Sequence, residues 1–250
     1  MRVENSFIPV EGVGETTERR LWEQGITHWD DFYPDAVGQT TGERIQSFID
    51  RATDHLDAGD AEFFGRTFPS AEQWRLFETF RDNACFFDIE TTGLDEHRND
   101  VTTVSARLDG ETHTLVQGRD LHDDALQDLF VDADLLVTFN GKRFDVPFLE
   151  ANFDVSLSET PHLDLMYPCR RLDLTGGLKV IEQEIGIGRD RPDISGKEAV
   201  ELWYQYERGD ESALETLVSY NREDVENLEP LTERVNERLE RTLLPETTTI

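Results

Sequence analysis

The segment ACFFDIETTGL places two carboxylates, Asp88 and Glu90, inside a run of residues that otherwise predicts a buried strand. Side chains alternate between the two faces of a strand, so Cys85, Phe87 and Ile89 would share one face and the two acids the other. The acids would then stand roughly 7 Å apart at their Cα atoms. Any fold of this chain must place two like charges on one face of this strand.

Asp88 and Glu90 allow two interpretations when the strand is considered alone. Like charges held this close need a cation between them, or one carboxyl must take up a proton. Carboxylate oxygens suit a hard divalent cation such as Mg²⁺ or Mn²⁺. The alternative is an edge strand whose acidic face is open to water. Only further acids elsewhere in the chain can decide between the two.

Acidic residues are numerous and evenly spread along the whole chain. There are 54 Asp and Glu residues against 24 Lys and Arg, which gives a formal net charge of −30. An evenly acidic surface indicates a halophilic protein, because concentrated salt screens its self-repulsion. A strongly basic partner is the alternative explanation. At low salt this surface would repel nucleic acid, so composition alone argues against a nucleic-acid partner.

The N-terminus and the cysteines predict the cellular location. No apolar run approaches the length of a membrane span, and the first residues lack the features of a signal peptide. Cys85 and Cys169 form neither a disulfide framework nor a metal-binding spacing. We therefore expect a cytoplasmic protein with two free core thiols and no membrane partner.

The hydrophobic periodicity changes near residue 83. Residues 1–82 carry apolar residues at helical spacing, which predicts an α-helical N-terminal region. Residues 83–240 predict three strands, a helix, a strand, a helix, a strand and then further helices. The dipeptide Asp109-Gly110 between the second and third strands is a hairpin signal. This order predicts an α/β domain with a mixed sheet flanked by helices.

Further acids occur in two downstream segments. In LLVTFNGKRFDVPFLEA, Asp145 lies at or next to the start of a helix that follows a buried strand. It is either an ordinary capping residue or part of a site, because α/β proteins place sites in such loops. In SYNREDVENL, Tyr220 and Asp224 are four residues apart and share a helical face. Considered alone, this pair is typical of a core Tyr and an exposed Asp.

Taken in order, the three segments match a known set of nuclease motifs. Asp-x-Glu on a first strand, Asn-x4-Asp at a strand-to-helix turn and Tyr-x3-Asp on a late helix are the motifs of DEDD exonucleases of the Tyr subclass. The segments FFDIETTGL, FNGKRFDVPFL and YNREDVENL resemble those of the YprB-like ribonuclease H-like family. The intervening HLDL, GLKVIEQEIGIGR and DISGKEAVELWYQYERG are also similar to that family. The resemblance covers about residues 84–230 and implies a ribonuclease H-like fold with a five-stranded mixed sheet.

The resemblance also implies roles for the acids. Asp88, Glu90, Asp145 and Asp224 would bind two Mg²⁺ or Mn²⁺ ions around a scissile phosphate, and Tyr220 would hold the attacking water. Two such ions roughly 3.5–4 Å apart can stabilise the attacking and leaving oxygens together and make hydroxide available near neutral pH. Because its ordinary pKa is near 10, Tyr220 is better suited to orient water than to act as a general base.

Five further residues are candidate substrate contacts. The family pattern places Thr91 and Leu94 against the terminal nucleotide and Asn140 near the same pocket, although turn and core packing explain these residues equally well. Lys142 and Arg143 precede Asp145 in its turn, so a phosphate contact and a solvated turn are both open for them.

The N-terminal segment SFIPVEGVGETTERRLWEQGITHWDDF resembles part of a helix-hairpin-helix element. In that element the backbone amides of a Gly-x-Gly hairpin bind a nucleic-acid phosphate, and here the glycines are Gly12 and Gly14. The first helix of the element is absent or very short, because only eleven residues precede Gly12 and Pro9 interrupts them. Backbone binding and a purely packing role both remain open.

These features together predict a metal-dependent 3′→5′ exonuclease that hydrolyses DNA or RNA, acting on single strands or 3′ ends. Polarity and exonuclease character come from the resemblance rather than from the acids. A non-catalytic nucleic-acid-binding or complex-forming subunit that keeps the fold is one alternative. A structure-specific endonuclease with the same chemistry is another. The choice between DNA and RNA depends on contacts to the 2′-hydroxyl, which the sequence does not reveal.

Overall fold

A computed structural model describes residues 1–243, which form an α/β fold around a five-stranded mixed sheet. The strands are β1 Ala84–Thr91, β2 Val101–Leu108, β3 Glu111–Val116, β4 Leu135–Thr138 and β5 His162–Asp164. They lie in the order β3-β2-β1-β4-β5. The β1–β2 and β2–β3 pairs are antiparallel, whereas β1–β4 and β4–β5 are parallel. The predicted five-stranded mixed sheet is therefore confirmed.

Helices flank the sheet, and α-helices and short 3-10 helices together form most of the first 80 residues, as predicted. The α-helices are α1 Glu15–Glu23, α2 Gln39–Asp57, α3 Ala61–Thr67, α4 Phe77–Phe80, α5 Asp123–Phe130, α6 Asp145–Asn152, α7 Met166–Arg171, α8 Leu178–Ile185, α9 Gly196–Glu207 and α10 Glu211–Leu243. None of these helices within residues 1–243 is both long and apolar enough to cross a membrane.

The segment SAEQWRLFETFRD differs from its prediction as one α-helix. Its first part is a 3-10 helix, Ser70–Leu76, and only the short α4 follows. Consecutive side chains from Glu72 to Phe77 are buried, including Trp74 and Arg75. Burial on all sides removes the advantage of one apolar helical face, so the helical spacing of the segment was misleading.

The hairpin between β2 and β3 forms where the sequence predicts it. Asp109 and Gly110 connect the two strands and have φ angles of 49° and 76°. A two-residue type I′ turn requires positive φ at both positions, and Asp and Gly tolerate this conformation well. The hairpin fixes the register of the antiparallel half of the sheet.

Strand β1 has the alternation that its sequence predicts. Cys85, Phe87 and Ile89 lie in an apolar cluster that also contains Leu126 of α5 and Phe148 of α6. The side chains of the intervening residues therefore point to the opposite face. On that face the acids of β1 meet α10.

Helix α10 packs against β1 and β2 and is held there by polar contacts as well as apolar ones. Arg107 of β2 donates to Glu229 of α10 at 2.9 Å. The hydroxyl of Thr103, also on β2, donates to Oδ1 of Asn221 at 3.0 Å. These contacts fix the rotation of α10, and with it the direction in which Asp224 points.

The N-terminal helical region shares an apolar cluster with the sheet. Trp74, Phe77 and Phe80 pack in the same cluster as Phe86 of β1 and Val137 of β4. The rings of Phe77 and Phe86 lie 6.2 Å apart at 70°. The two regions are thus joined by a continuous core. That residues 1–82 and 83–240 form separate domains stays a prediction.

Candidate metal centre

Three carboxylates converge near the end of β1. Asp88 and Glu90 point to the same side of the strand, and Asp224 reaches them from α10. One carboxylate oxygen from each of the three lies within 4.8 Å of the other two. Glu90 and Asp224 are buried and Asp88 is half-buried. This spacing lets one cation contact all three residues.

Asp145 lies beside this group and is not one of the converging three. It is the buried first residue of α6. Its Oδ1 accepts a hydrogen bond of 3.3 Å from the backbone N–H of Ile89, the residue between Asp88 and Glu90. The fourth predicted acid is thus fixed to the strand that carries the first two.

The turn before Asp145 has little steric freedom. Asn140 adopts the left-handed conformation with φ of 69°. A Cβ atom on Gly141 would lie 2.4 Å from Oγ1 of Thr138, so a larger residue could not fit without displacing β4. The Asn-Gly pair therefore allows the chain to leave β4 and place Asp145 over β1 within a few residues.

The acids are in an environment that disfavours their ionised forms. Burial and then the charges of Asp145 and Asp224 raise the pKa of Asp88. Burial and then the charge of Asp224 raise the pKa of Glu90. Burial also raises the pKa of Asp145 to about 7, although backbone hydrogen bonds oppose it. Four carboxyls in one place need protons or cations, because their mutual repulsion is weakly screened when they are buried.

Tyr220 lies one helical turn before Asp224 and is buried beside it. Burial, followed by the charges of Asp224 and Glu90, raises the pKa of its phenol. The phenol therefore keeps its proton at neutral pH. The Lys179 ammonium lies 4.6 Å from the centroid of the Tyr220 ring. Lys179 is a cation near the acids that the motifs did not predict.

Asn221 is a second residue that the motifs did not single out. Its side-chain amide donates to Oδ2 of Asp88 at 2.7 Å and to the backbone oxygen of Asp88 at 3.2 Å. Its own Oδ1 accepts from Thr103, so the amide orientation is fixed. The only feature of the sequence that could have indicated a role for Asn221 was its position next to Tyr220 in the third motif.

Arg189 is a third residue near the acids that the motifs did not single out, and it lies in the loop between α8 and α9. Its Nη1 is 2.5 Å from Oδ1 of Asp224. Its other nitrogens bind the carboxylate of Glu182 from α8, with Nη2 to Oε1 at 2.8 Å. Nothing in the spacing of the acids predicts this arginine, because a loop between two helices brings it into place.

The predicted contacts after β1 differ from each other in exposure. Thr91 is buried, and its hydroxyl donates to the backbone oxygen of Gly93 at 2.6 Å. Leu94 is 86% exposed, which is unusual for a large apolar side chain. Thr91 thus shapes the turn that presents Leu94 to solvent at the end of β1.

The predicted contacts near the second acid segment point in several directions. The backbone N–H of Asn140 donates to Oδ1 of Asp164 at 2.7 Å. The Lys142 ammonium donates to Gln73 of the N-terminal region at 2.7 Å. Arg143 is exposed. Lys142 therefore bridges two regions of the chain, and Arg143 is free to meet solvent.

The predicted N-terminal hairpin opens a helix. Gly12 has φ of 89°, a conformation that favours glycine, and Gly14 is the N-cap of α1. The Arg44 guanidinium donates to the backbone oxygen of Glu11 at 3.3 Å. An arginine therefore stands beside the hairpin, and the two glycines lie far along the chain from the acids.

The mixed sheet with acids at the end of its first strand is an architecture of ribonuclease H-like proteins. A family model for the RNase_H superfamily matches residues 85–236. The chain therefore belongs to the RNase H superfamily, and the matched range contains all four acids and Tyr220. No curated protein matches the chain significantly.

Three solved structures are similar to part of the chain. A family B DNA polymerase from the hyperthermophilic archaeon Pyrobaculum calidifontis is 21% identical over 61% of this chain and 24% of its own, with a TM-score of 0.48. The apo form of a nuclease is 24% identical over 64% and 74%, with a TM-score of 0.47. NrnC of Brucella melitensis with bound Mg²⁺ is 20% identical over 66% and 78%, with a TM-score of 0.44. The chain thus spans about a quarter of the polymerase.

Proposed function

We propose that this chain is a metal-dependent 3′→5′ exonuclease of the Tyr subclass, acting on single-stranded nucleic acid or 3′ ends. The observation that carries the proposal is the convergence of the Asp88, Glu90 and Asp224 carboxylate oxygens within 4.8 Å. Membership of the RNase H superfamily supports it, because the acids lie within the matched range. The resemblance to YprB-like proteins supports the polarity and the exonuclease character.

The donor set fits divalent cations. Asp88, Glu90, Asp224 and the adjoining Asp145 offer only carboxylate oxygens, the ligand type that Mg²⁺ and Mn²⁺ prefer. Burial raises the pKa of all four acids, and the charges of neighbouring acids raise it further at Asp88, Glu90 and Asp145, so a cation would replace the protons they otherwise need. When bound, two divalent ions supply the positive charge that stabilises the attacking and leaving oxygens of a phosphodiester.

The protein's own residues orient the reactants. Tyr220 keeps its phenolic proton, so its hydroxyl can hold the attacking water without removing a proton from it. Asn221 fixes Asp88 through the 2.7 Å amide contact, and Ile89 fixes Asp145 through its backbone N–H. The acids are therefore arranged before substrate arrives, which lowers the cost of organising charge during the reaction.

The substrate is proposed to approach past the turn after β1. Leu94 is exposed there, where it can pack against a terminal base, with Thr91 below it. Asn140 follows β4 on the way to Asp145. Lys142 is less suited to a phosphate contact than Arg143, because its ammonium already binds Gln73. These contacts remain part of the proposal.

The N-terminal region, residues 1–82, is proposed as a helical appendage to a nuclease domain at residues 83–240. The Gly12 and Gly14 hairpin resembles half of a helix-hairpin-helix element. Arg44 lies beside it and also faces the Glu11 carboxylate at 3.6 Å, so a phosphate at that turn would compete with Glu11 for the guanidinium. Backbone binding there would add a second contact with nucleic acid.

Digestion of end-labelled single-stranded DNA and RNA, with Mn²⁺ and high KCl, tests the proposal. A strand labelled at its 5′ end should shorten stepwise, and Glu90→Gln, which keeps the shape but removes the charge, should abolish the ladder. Cleavage of circular single strands would instead indicate an endonuclease. No cleavage of any substrate would favour the non-catalytic subunit.

A further inference from the structure

A buried chain of three charged residues ends at the acid cluster. Glu182 of α8 binds Arg189, and Arg189 contacts Asp224 of α10 through Nη1 and Oδ1 at 2.5 Å. The side chains of Glu182, Arg189 and Asp224 are 1%, 5% and 7% exposed. Charges buried this deeply are costly unless they are paired, and here the guanidinium faces a carboxylate on each side.

The Glu182–Arg189 pair has no net charge. Glu182 neutralises the guanidinium, so the pair adds little repulsion toward a divalent cation near Asp224. A carboxylate has about four acceptor sites on its two oxygens, and one contact with Arg189 leaves others free. The arginine can therefore hold Asp224 while Asp224 binds a cation.

The loop that carries Arg189 is itself fixed to α10. The backbone N–H groups of Asp190 and Arg191 both donate to the carboxylate of Glu223, the latter at 3.2 Å. Glu223 directly precedes Asp224 in the helix. Glu182 thus holds the Arg189 guanidinium on one side, and the backbone of the next two residues is held to α10 on the other, which leaves the guanidinium little freedom to swing toward a substrate.

We propose that Arg189, held by Glu182, is a positioning residue that orients the Asp224 carboxylate to bind a divalent cation. The inference rests on the proposed function, since it assigns Asp224 to a metal. Outer contacts of this kind commonly affect metal affinity about 10–100-fold when they are removed.

The test measures Mn²⁺ affinity without nucleic acid, by electron paramagnetic resonance of free Mn²⁺ during a titration. The main variant is Glu182→Gln with Arg189→Gln, which removes both charges together, so that neither member of the pair is left charged without the other. The control is Arg119→Gln with Glu211→Gln, an Arg–Glu pair that joins the loop after β3 to the first turn of α10, outside the acid cluster, with contact atoms 2.6 Å apart. Thermal melts of each variant establish that it is folded.

We expect the main variant to bind Mn²⁺ at least about tenfold more weakly than wild type and the control to match wild type. Arg189→Lys keeps the charge but loses the guanidinium fork, and should weaken binding severalfold even if the double variant fails to fold. Unchanged or tighter binding in a folded variant would overturn the inference, because Arg189 would then be neutral toward the cation or compete with it. Absence of Mn²⁺ binding in wild type would instead overturn the proposed metal site itself.

Discussion

Tyr220 is the residue whose proposed role depends most on a single atom. Its phenol stays protonated because burial and the neighbouring acids raise its pKa. Tyr220→Phe removes only the hydroxyl, so turnover of labelled single strands should fall roughly 10²-fold, the effect of losing a positioned proton-handling group. Substrate KM should change little. A turnover number equal to that of wild type would reduce Tyr220 to a packing role.

Asn221 should be as important as a motif residue, although no motif names it. Asn221→Ala removes the amide that orients Asp88 and leaves the Thr103 hydroxyl without its acceptor. We expect activity to fall about 10–100-fold and the free energy of unfolding to fall by about 1–3 kcal/mol.

Thr103→Val provides the matched control for Asn221→Ala. It removes the Thr103 contact but keeps the Asn221 amide on Asp88, so activity should fall much less. Equal losses in the two variants, measured by initial rates and urea unfolding, would show that the effect comes from packing between β2 and α10 rather than from the orientation of Asp88.

At the scale of elements, β5 has a consequence for stability at low pH. His162 of β5 is buried, and its Nε2 lies 2.8 Å from the Thr138 hydroxyl of β4. Burial, with a smaller effect from Lys142, lowers its pKa to about 3. The unfolded chain, where the ordinary pKa is near 6.5, then binds this proton more readily than the native state. Stability from this group is present above about pH 6.5 and is lost as pH falls toward 3.

His162→Gln measures that contribution, because Gln keeps a polar group for Thr138 but does not titrate. Between pH 6 and 4 the unfolding free energy of wild type should fall more steeply than that of the variant, by about 1.4 kcal/mol per pH unit. Parallel curves from urea unfolding across this range would mean that His162 takes up its proton in the folded protein.

Elements whose apolar residues recur with a clear strand or helix period were predictable from the sequence. Elements that are buried on several sides were not. The strand β1 and the i, i+4 relation of Tyr220 and Asp224 depend on local geometry alone, so alternation and helical spacing identify them. Arg189 depends on where a loop falls after α8 packs, which no local pattern contains. The prediction of one α-helix around Trp74 was wrong because a local pattern was misleading. The segment has helical spacing of apolar residues, but its side chains are buried on all sides.

At the scale of the whole molecule, the net charge of −30 governs the response to salt. Self-repulsion destabilises the folded chain at low ionic strength, and the Debye length falls from about 10 Å at 0.1 M to about 3 Å at 1 M. Nucleic acid is repelled by the same charge, so salt should ease its approach. Ordinary phosphate binding weakens with salt, but few basic residues are available here for such contacts.

Melting temperature and nuclease activity should therefore both rise between about 0.1 M and 2 M KCl, which would support the prediction of a halophilic protein. Thermal melts and initial rates across this series, at fixed Mn²⁺, measure the two effects separately. A best rate near 0.1 M KCl with full stability there would point instead to a basic partner that covers the acidic surface.

The continuous core between the N-terminal helices and the sheet has a consequence for cooperativity. Trp74, Phe77 and Phe80 share an apolar cluster with Phe86 and Val137, so separating the regions would expose apolar surface on both. Heat should then unfold the chain in one calorimetric transition, and a cation bound at the acids should also protect backbone amides near Trp74 from hydrogen exchange. Two resolved transitions would contradict this. In that case, cation binding at the acids would not change hydrogen exchange in the first eighty residues. With a shared core, exchange in those residues reports whether a cation is bound.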